Sequence, residues 1–236
     1  YYHLVLLAEN NQGYANLMKI VSKGFTEGFY YKPRVDLAVL KEYHEGIIAL
    51  SACLAGEVAR YLQRGMYEDA KAAALRYQDI FGKGNFFLEL QDHGIPAQQV
   101  VNQELLRMHE ETGIDLVATN DVHYTKAEDA APHDILLCLQ TNKKLADEDR
   151  MRYEGGQYYV KSPEEMAQLF PYALEALENT HKIAQRCHVE IEFGVTKLPR
   201  FDVPDGFTSW EYLNKLCRTG GTLSSGHRRI KISTEL

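Results

Sequence analysis

The chain has 236 residues, of which 45% are hydrophobic, and carries a formal net charge of −7. This is enough for one large domain or two small ones with a buried core, and no apolar run reaches the ~18 residues that a membrane-spanning helix needs. The acidic balance argues against a general nucleic-acid-binding surface, which is usually basic. The four cysteines are widely spaced without a Cys-x-x-Cys pair, which favours a reducing, cytoplasmic environment.

The first half of the chain alternates short apolar runs with amphipathic segments, a pattern typical of α/β folds. The predicted strands are 2–8, 47–50, 86–90 and 115–119. The predicted helices are 11–26, 33–43, 56–64, 67–81 and 96–112. Strict alternation of this kind predicts four parallel, adjacent strands in an open barrel. Because the chain opens within the first of these strands, we expect it to be a piece of a longer fold.

The pattern changes after the fourth predicted strand, where helices dominate. A strong start signal places a helix at Ser162-Pro163, with an N-cap serine, proline at the first helical position and a glutamate two residues later. Other helices are expected at 126–140, 171–187 and from 208, with a loop at 141–156, a short strand at 158–160 and an extended linker at 193–207. Residues 218–236 lack apolar periodicity and are predicted to be disordered.

Polar side chains that can bind a metal lie in or after several predicted strands. Asp121 and His123 follow the fourth strand, and residues two apart in extended backbone project to the same face. Cys53 and His93 follow two other strands, and His3 lies in the first. Carboxylate, imidazole and thiolate are ligands suited to Zn²⁺ or Mn²⁺.

The residues alone leave plainer interpretations open. Asp-x-His also fits a loop with a capping aspartate and a surface histidine, and His3 fits a satisfied histidine in a strand. Cys53 fits a small buried hydrophobic residue. For His93, within Asp92-His93-Gly94, we favour a structural role in a turn.

Five segments, in order along the chain, carry a family resemblance. They are HLVLLAEN at 3–10, GFYYKPR at 28–34, LSACLAGE at 50–57, ELQDHG at 89–94 and ATNDVHY at 118–124, and KSPEEM at 161–166 and LPRF at 198–201 extend the match. Together they resemble the polymerase-and-histidinol-phosphatase (PHP) domain, in the version found at the N-terminus of the alpha subunits of bacterial DNA polymerase III. The resemblance covers about residues 1–217.

The resemblance implies an α/β fold, a partial PHP-type distorted (β/α)7 barrel, followed by a linker toward a palm domain that lies outside this chain. It places the PHP domain, without its N-terminal part, at 1–192. The linker and the first helix toward the palm are then 193–217, and 218–236 is a disordered or non-family tail.

The resemblance also implies a metal site, because His3, Cys53, Asp121 and His123 fall on family ligand positions. It implies Zn or Mn in the PHP site, with 3′–5′ proofreading exonuclease activity in family members whose ligands are intact. Mg for polymerisation belongs to the palm, so no residue here is assigned to nucleotidyl transfer, and no nucleic-acid-binding residue is assigned.

The implied context is DNA replication in the cytoplasm, with DNA bound through the full-length polymerase. The implied protein partners are the sliding clamp and a separate proofreading subunit, and no membrane is involved. Two alternatives remain. One is a stand-alone metal-dependent PHP phosphoesterase, and the other is a degenerate PHP scaffold that docks a proofreading subunit.

Overall fold

The computed structural model describes residues 1–198 and 201–224, apart from the side chains of 154 and 221–224. The chain divides into two units, Tyr1–Glu190 and Ile191–Leu236. In the described part of the chain, no helix is both long enough and apolar enough to cross a membrane. The predicted LPRF motif at 198–201 is partly outside the described residues.

A four-stranded sheet organises the first unit, in the order β1 (Val5–Ala8), β2 (Ile47–Leu50), β3 (Phe86–Leu90) and β4 (Leu116–Ala118). The pairs β2–β3 and β3–β4 are parallel, as predicted, and all four strands are adjacent in sequence order. The architecture agrees with the predicted α/β class and with a partial PHP barrel.

The prediction that all four strands are parallel is wrong for β1, which pairs antiparallel with β2. Apolar periodicity carries no information about strand direction. The connection between β1 and β2 contains two helices and is long enough for β2 to pair with β1 in either the parallel or the antiparallel direction. This direction decides where His3 lies.

Nine helices occur in the described residues, and the strongest predictions match them closely. They are α1 (Asn11–Thr26), α2 (Leu37–Glu42), α3 (Glu57–Leu62), α4 (Tyr67–Phe81), α5 (Pro96–Thr112), α6 (Ala130–Thr141), α7 (Pro163–Leu169), α8 (Leu174–Arg186) and α9 (Ser209–Ser224). Short 3₁₀ turns cover Ala127–Asp129 and Glu154–Gly156. The capping box at the start of α7 is present, with the Glu165 amide donating to Ser162 Oγ and the Ser162 amide donating to the Glu165 carboxylate.

Three local predictions differ from the structure. Helix α2 begins after Asp36, whose side chain accepts from the Val39 amide, so Pro33 precedes the helix instead of opening it. Residues 158–160 form no strand, although the Tyr158 carbonyl accepts from the amides of His123 and Tyr124. Helix α9 continues through Ser224, so the predicted disordered segment 218–236 begins in a helix, and its remainder lies outside the described residues.

The core packs on both faces of the sheet, with successive strand residues facing opposite sides. One face carries Ile47, Ala49, Phe86 and Leu88, which pack among α3, α4 and α5. The opposite face carries Ile48, Leu50, Phe87 and Val117, together with Ile183 of α8. Strands β2, β3 and β4 are therefore buried throughout, which explains their continuous apolar sequence.

Gly13 marks a close approach between α1 and the turn before β2. A Cβ atom on Gly13 would overlap the carbonyl oxygen of Gly46. Alanine normally stabilises a helix interior by about 1 kcal/mol relative to glycine. We expect Gly13→Ala to destabilise the fold instead, by roughly 1–3 kcal/mol in urea denaturation, because helix and turn must separate.

Gly24 of the same helix is the matched control. Its added Cβ would lie 3.5 Å from the Arg34 carbonyl oxygen, an ordinary contact. Gly24→Ala should be neutral or stabilising by up to about 1 kcal/mol. Equal stabilities for the two variants would contradict the close approach at Gly13.

Glu111 of α5 gives a pH-dependent prediction. Lys71 Nζ lies 2.6 Å from its Oε2 and Arg107 Nε lies 2.8 Å from its Oε1, and these hydrogen bonds lower the pKa of Glu111 to about 2. A lowered carboxyl pKa stabilises the folded state above the ordinary value of 4.5, and this contribution is lost as the pH falls toward about 2. Glu111→Gln should therefore be less stable than the wild type at pH 7, and the difference should shrink between pH 4.5 and 2.

Urea midpoints across this pH range test the prediction, with the exposed neighbour Glu110→Gln as the control. The control should follow the wild type at every pH. A Glu111→Gln deficit that is absent at pH 7, or undiminished at pH 2, would show that the ion pairs do not favour the folded state.

Candidate metal centre

An open cleft of about 550 Å³ lies at the edge of the sheet where β2, β3 and β4 end. His3, Cys53 and Asp121 line it, together with Glu89 and Thr119. Because β1 runs antiparallel to β2, the residues before β1 lie at the same edge as the residues after β2. The direction of β1 thus brings His3 to Cys53, whereas a parallel β1 would have placed His3 at the opposite edge.

His3 and Cys53 are two candidate ligands whose side chains lie in direct contact. Cys53 Sγ lies 3.5 Å from His3 Nδ1, and the His3 amide donates to the Ala55 carbonyl at 3.0 Å. Two ligands of one zinc ion, each ~2.0–2.3 Å from it, lie roughly 3–4 Å apart. The distance between sulfur and nitrogen therefore fits a shared ion.

Burial raises the pKa of the Cys53 thiol, and the charges of Asp121 and Glu89 raise it further, against a backbone hydrogen bond from Ala55. The thiol is consequently protonated near neutral pH. A metal ion binding there has to displace that proton, which makes metal affinity depend on pH.

Asp121 enters the cleft from a strained turn after β4. Its φ is +42°, a left-handed conformation that non-glycine residues seldom adopt. The turn is held by the Asn120 side chain, which donates to the Tyr159 carbonyl at 2.6 Å. Burial raises the pKa values of Tyr153 and Tyr158, and the Asp121 charge raises them further.

His123 lies outside the residues that line the cleft. Its ring lies in a cluster of aromatic side chains, with centroids 4.2 Å from Tyr153 and 5.9 Å from His133, and its Nδ1 is 2.7 Å from the Asp121 carbonyl. The expected alternation between Asp121 and His123 assumed extended backbone, and the left-handed Asp121 breaks it. Within the described residues, no three His, Cys, Asp or Glu side chains lie close enough to hold one ion.

His93 has the structural surroundings that we favoured from the sequence. The ring is buried and stacks on Tyr158 at a centroid distance of 4.1 Å. Its Nδ1 accepts from Gln98 at 2.8 Å, and its Nε2 lies 2.8 Å from the Asn120 carbonyl. Both ring nitrogens are therefore occupied by protein partners.

Glu89 is a residue of the cleft that sequence reasoning missed. It lies in the central strand β3, is 5% exposed, and accepts hydrogen bonds from the Ala52 amide and the Thr119 hydroxyl. Burial is the main reason that its pKa is raised. A charged residue within the apolar run Phe-Phe-Leu-Glu-Leu was the available signal, because such residues are rarely buried without a reason.

Comparison with known families finds a match for the first part of this sheet. Residues 1–93, which contain β1, β2, β3, His3 and Cys53, match the family model of the PHP domain. The similarity to the PHP domain therefore covers the first part of the chain, through the turn after β3.

Three relatives are similar to this chain over most of its length. The chain is 45% identical to "DNA polymerase III subunit alpha" of Treponema pallidum (strain Nichols) over 93% of its own length and 19% of the relative. It is 44% identical to the protein of the same name from Deinococcus radiodurans over 90% of the chain and 16% of the relative. The corresponding values for Thermus aquaticus are 41%, 93% and 18%. The chain thus spans less than a fifth of the length of these curated relatives.

Proposed function

We propose that this chain is the PHP region of a bacterial replicative DNA polymerase and that its cleft binds divalent metal ions. The replicative context rests on the 45% identity to DNA polymerase III subunit alpha over 93% of the chain. The metal site rests on one geometric observation, the 3.5 Å approach of Cys53 Sγ and His3 Nδ1 beside Asp121.

The donor set fits zinc or manganese. The Cys53 thiolate favours the softer zinc ion, and the Asp121 carboxylate and the imidazoles accept either metal. His3 is oriented by its backbone bond to Ala55, which fixes the start of β1 against the loop after β2. His123 would join as a fourth ligand by turning away from the aromatic cluster around Tyr153.

A divalent ion held there supplies Lewis-acid chemistry toward a phosphodiester. The cleft opens to solvent beside His3, which gives a DNA end access to the candidate ligands. The proposed activity is therefore 3′–5′ exonucleolytic proofreading, with DNA presented by the full-length polymerase in the cytoplasm. The sliding clamp and a separate proofreading subunit are the proposed protein partners, and Mg for polymerisation belongs to the palm.

A second candidate, a PHP scaffold that docks a proofreading subunit, is favoured by the position of His123. With His123 in the aromatic cluster, the described part of the chain brings too few ligands together for a complete site. Release of 3′-terminal nucleotides in the presence of Mn²⁺ or Zn²⁺, abolished by Cys53→Ser, would support the exonuclease. Metal binding without nucleotide release would favour the scaffold.

We expect the purified 236-residue chain to bind zinc weakly, with a dissociation constant above about 1 μM, and to lack polymerase activity. A pair of close ligands leaves most coordination positions to water, and binding weakens with each missing partner. Nucleotidyl transfer requires a metal pair held by carboxylates. A primer-extension assay and a zinc titration test both statements.

Template-dependent extension would contradict the second statement. Stoichiometric sub-micromolar zinc binding that survives replacement of both Asp121 and His123 with alanine would contradict the first. In that case neither Asp121 nor His123 would be needed to hold the zinc.

A further inference from the structure

Glu89 is a buried carboxylate near the C-terminal end of β3, and it accepts hydrogen bonds from residues just after both neighbouring strands. Its Oε2 accepts from the Ala52 amide at 2.9 Å, just after β2. Its Oε1 accepts from Thr119 Oγ1 at 2.5 Å, just after β4, and from Gln91 Nε2 at 3.2 Å. One side chain therefore ties together the two turns that carry Cys53 and Asp121.

The backbone of Glu89 adds a further link to the same turn. Its amide donates to Ser51 Oγ at 2.8 Å, so β3 is joined to the residues after β2 by both its backbone and its carboxylate. The partners of the carboxylate are all neutral donors. An ionised carboxylate can accept all three bonds, because it offers lone pairs on both oxygens and no competing donor.

The two turns that Glu89 joins are conformationally unfavourable. Ala52 has a φ of +64° and Asp121 a φ of +42°. Each such conformation persists only when its surroundings hold it in place, and such residues cluster at functional sites. The hydrogen bond that the Ala52 amide donates to Glu89 directly opposes relaxation of the turn before Cys53.

We propose that Glu89 is a positioning residue that fixes the two turns carrying Cys53 and Asp121, so that both side chains line the cleft in which metal binding is proposed. This inference deepens the proposed metal-binding function and rests on it. Glu89 acts through the two turns and is not itself counted among the candidate ligands.

Glu89→Gln is the sharpest variant, because it keeps the size of the side chain. It replaces one acceptor oxygen with an amide NH₂. This NH₂ must then face one of the groups that donate a hydrogen bond to the carboxylate in the wild type. Asn179→Ala is the matched control. Asn179 is also buried and donates to the Leu116 carbonyl at 2.8 Å, at the opposite end of β4 from Asp121.

The first readout is amide hydrogen exchange of the metal-free chain, compared for segments 50–56 and 117–123. Glu89→Gln should speed exchange in these two segments by about tenfold, because a neutral amide replaces a charged acceptor of three hydrogen bonds. The second readout is a Co²⁺ titration followed by the thiolate charge-transfer band. Glu89→Gln should weaken Co²⁺ binding by about 10–100-fold, whereas Asn179→Ala should leave it within about twofold of the wild type.

The two readouts separate the inference from the proposed function. Faster exchange in Glu89→Gln, with the weaker Co²⁺ binding, supports both. Exchange and Co²⁺ affinity equal to the wild type would overturn the positioning role and leave the metal site standing. If Glu89→Gln exchanges faster but the wild type itself binds no Co²⁺, the link between the turns would be supported and the metal site would be overturned.

Equal weakening of Co²⁺ binding by Glu89→Gln and Asn179→Ala would show a general loss of stability. That outcome would overturn a specific role for Glu89.

Discussion

Replacing Cys53 with serine should weaken zinc binding by at least about 100-fold, because groups that merely orient ligands already change metal affinity by about 10–100-fold. Cys53 supplies the only sulfur among the candidate ligands, and its Sγ lies 3.5 Å from His3 Nδ1. Zinc prefers thiolate more strongly than manganese does, so the loss should be larger for Zn²⁺ than for Mn²⁺. Calorimetric titration of both metals measures the two losses.

Cys187→Ser is the control for this variant, because Cys187 is a free, half-buried cysteine beyond the end of α8. It should bind zinc like the wild type. An unchanged zinc affinity in Cys53→Ser, or an equal loss in both variants, would remove Cys53 from the site.

Phe86→Ala should lower the free energy of unfolding by about 3–5 kcal/mol, the range measured for removing a buried aromatic side chain. Phe86 begins β3 and is 1% exposed. Its ring stacks on Tyr77 of α4 at a centroid distance of 5.4 Å, and its backbone pairs with Ala49 of β2. The truncation therefore opens a cavity between the central strand and the helix that covers it, and urea denaturation at pH 7 measures the loss.

The exposed Phe25 of α1 provides the comparison, and Phe25→Ala should change stability by no more than about 0.5 kcal/mol. A loss below about 1 kcal/mol in Phe86→Ala would mean that the sheet and α4 close up around the missing ring. The assigned packing between β3 and α4 would then be wrong.

The sequence predicted best those elements whose local signals agree with their tertiary environment. Helix α4 covers Tyr67–Phe81 as predicted, because its buried alanines favour both helix formation and close packing against the sheet. Helix α5 ends at Gly113, which has the left-handed φ of +67° that a helix C-terminus requires. In both helices, the residues that decide the structure have strong conformational preferences.

The direction of β1 could not be predicted, because an apolar run looks the same in both directions. The predicted proximity of His3 and Cys53 nevertheless holds, since the antiparallel β1 brings His3 to the edge of the sheet that carries Cys53. Family resemblance named these residues, and only the sheet topology explains how the start of the chain reaches the end of β2.

The position of His123 and the role of Glu89 both depend on tertiary structure. The side chains of Asp121 and His123 would share a face in extended backbone, but the φ of +42° at Asp121 turns the chain, and His123 packs against Tyr153. Glu89 lies within an apolar strand sequence, and its role could be inferred only from the structure, in which Ala52 and Thr119 donate hydrogen bonds to its two oxygens.

X-ray absorption at the zinc edge, on the zinc-loaded chain and on Cys53→Ser, tests the metal site most directly. The wild type should show a sulfur ligand at about 2.3 Å together with nitrogen or oxygen ligands at about 2.0–2.1 Å, and the sulfur should be absent in Cys53→Ser. A wild-type spectrum with only nitrogen and oxygen ligands, or a sulfur that persists in Cys53→Ser, would contradict a metal site at His3 and Cys53.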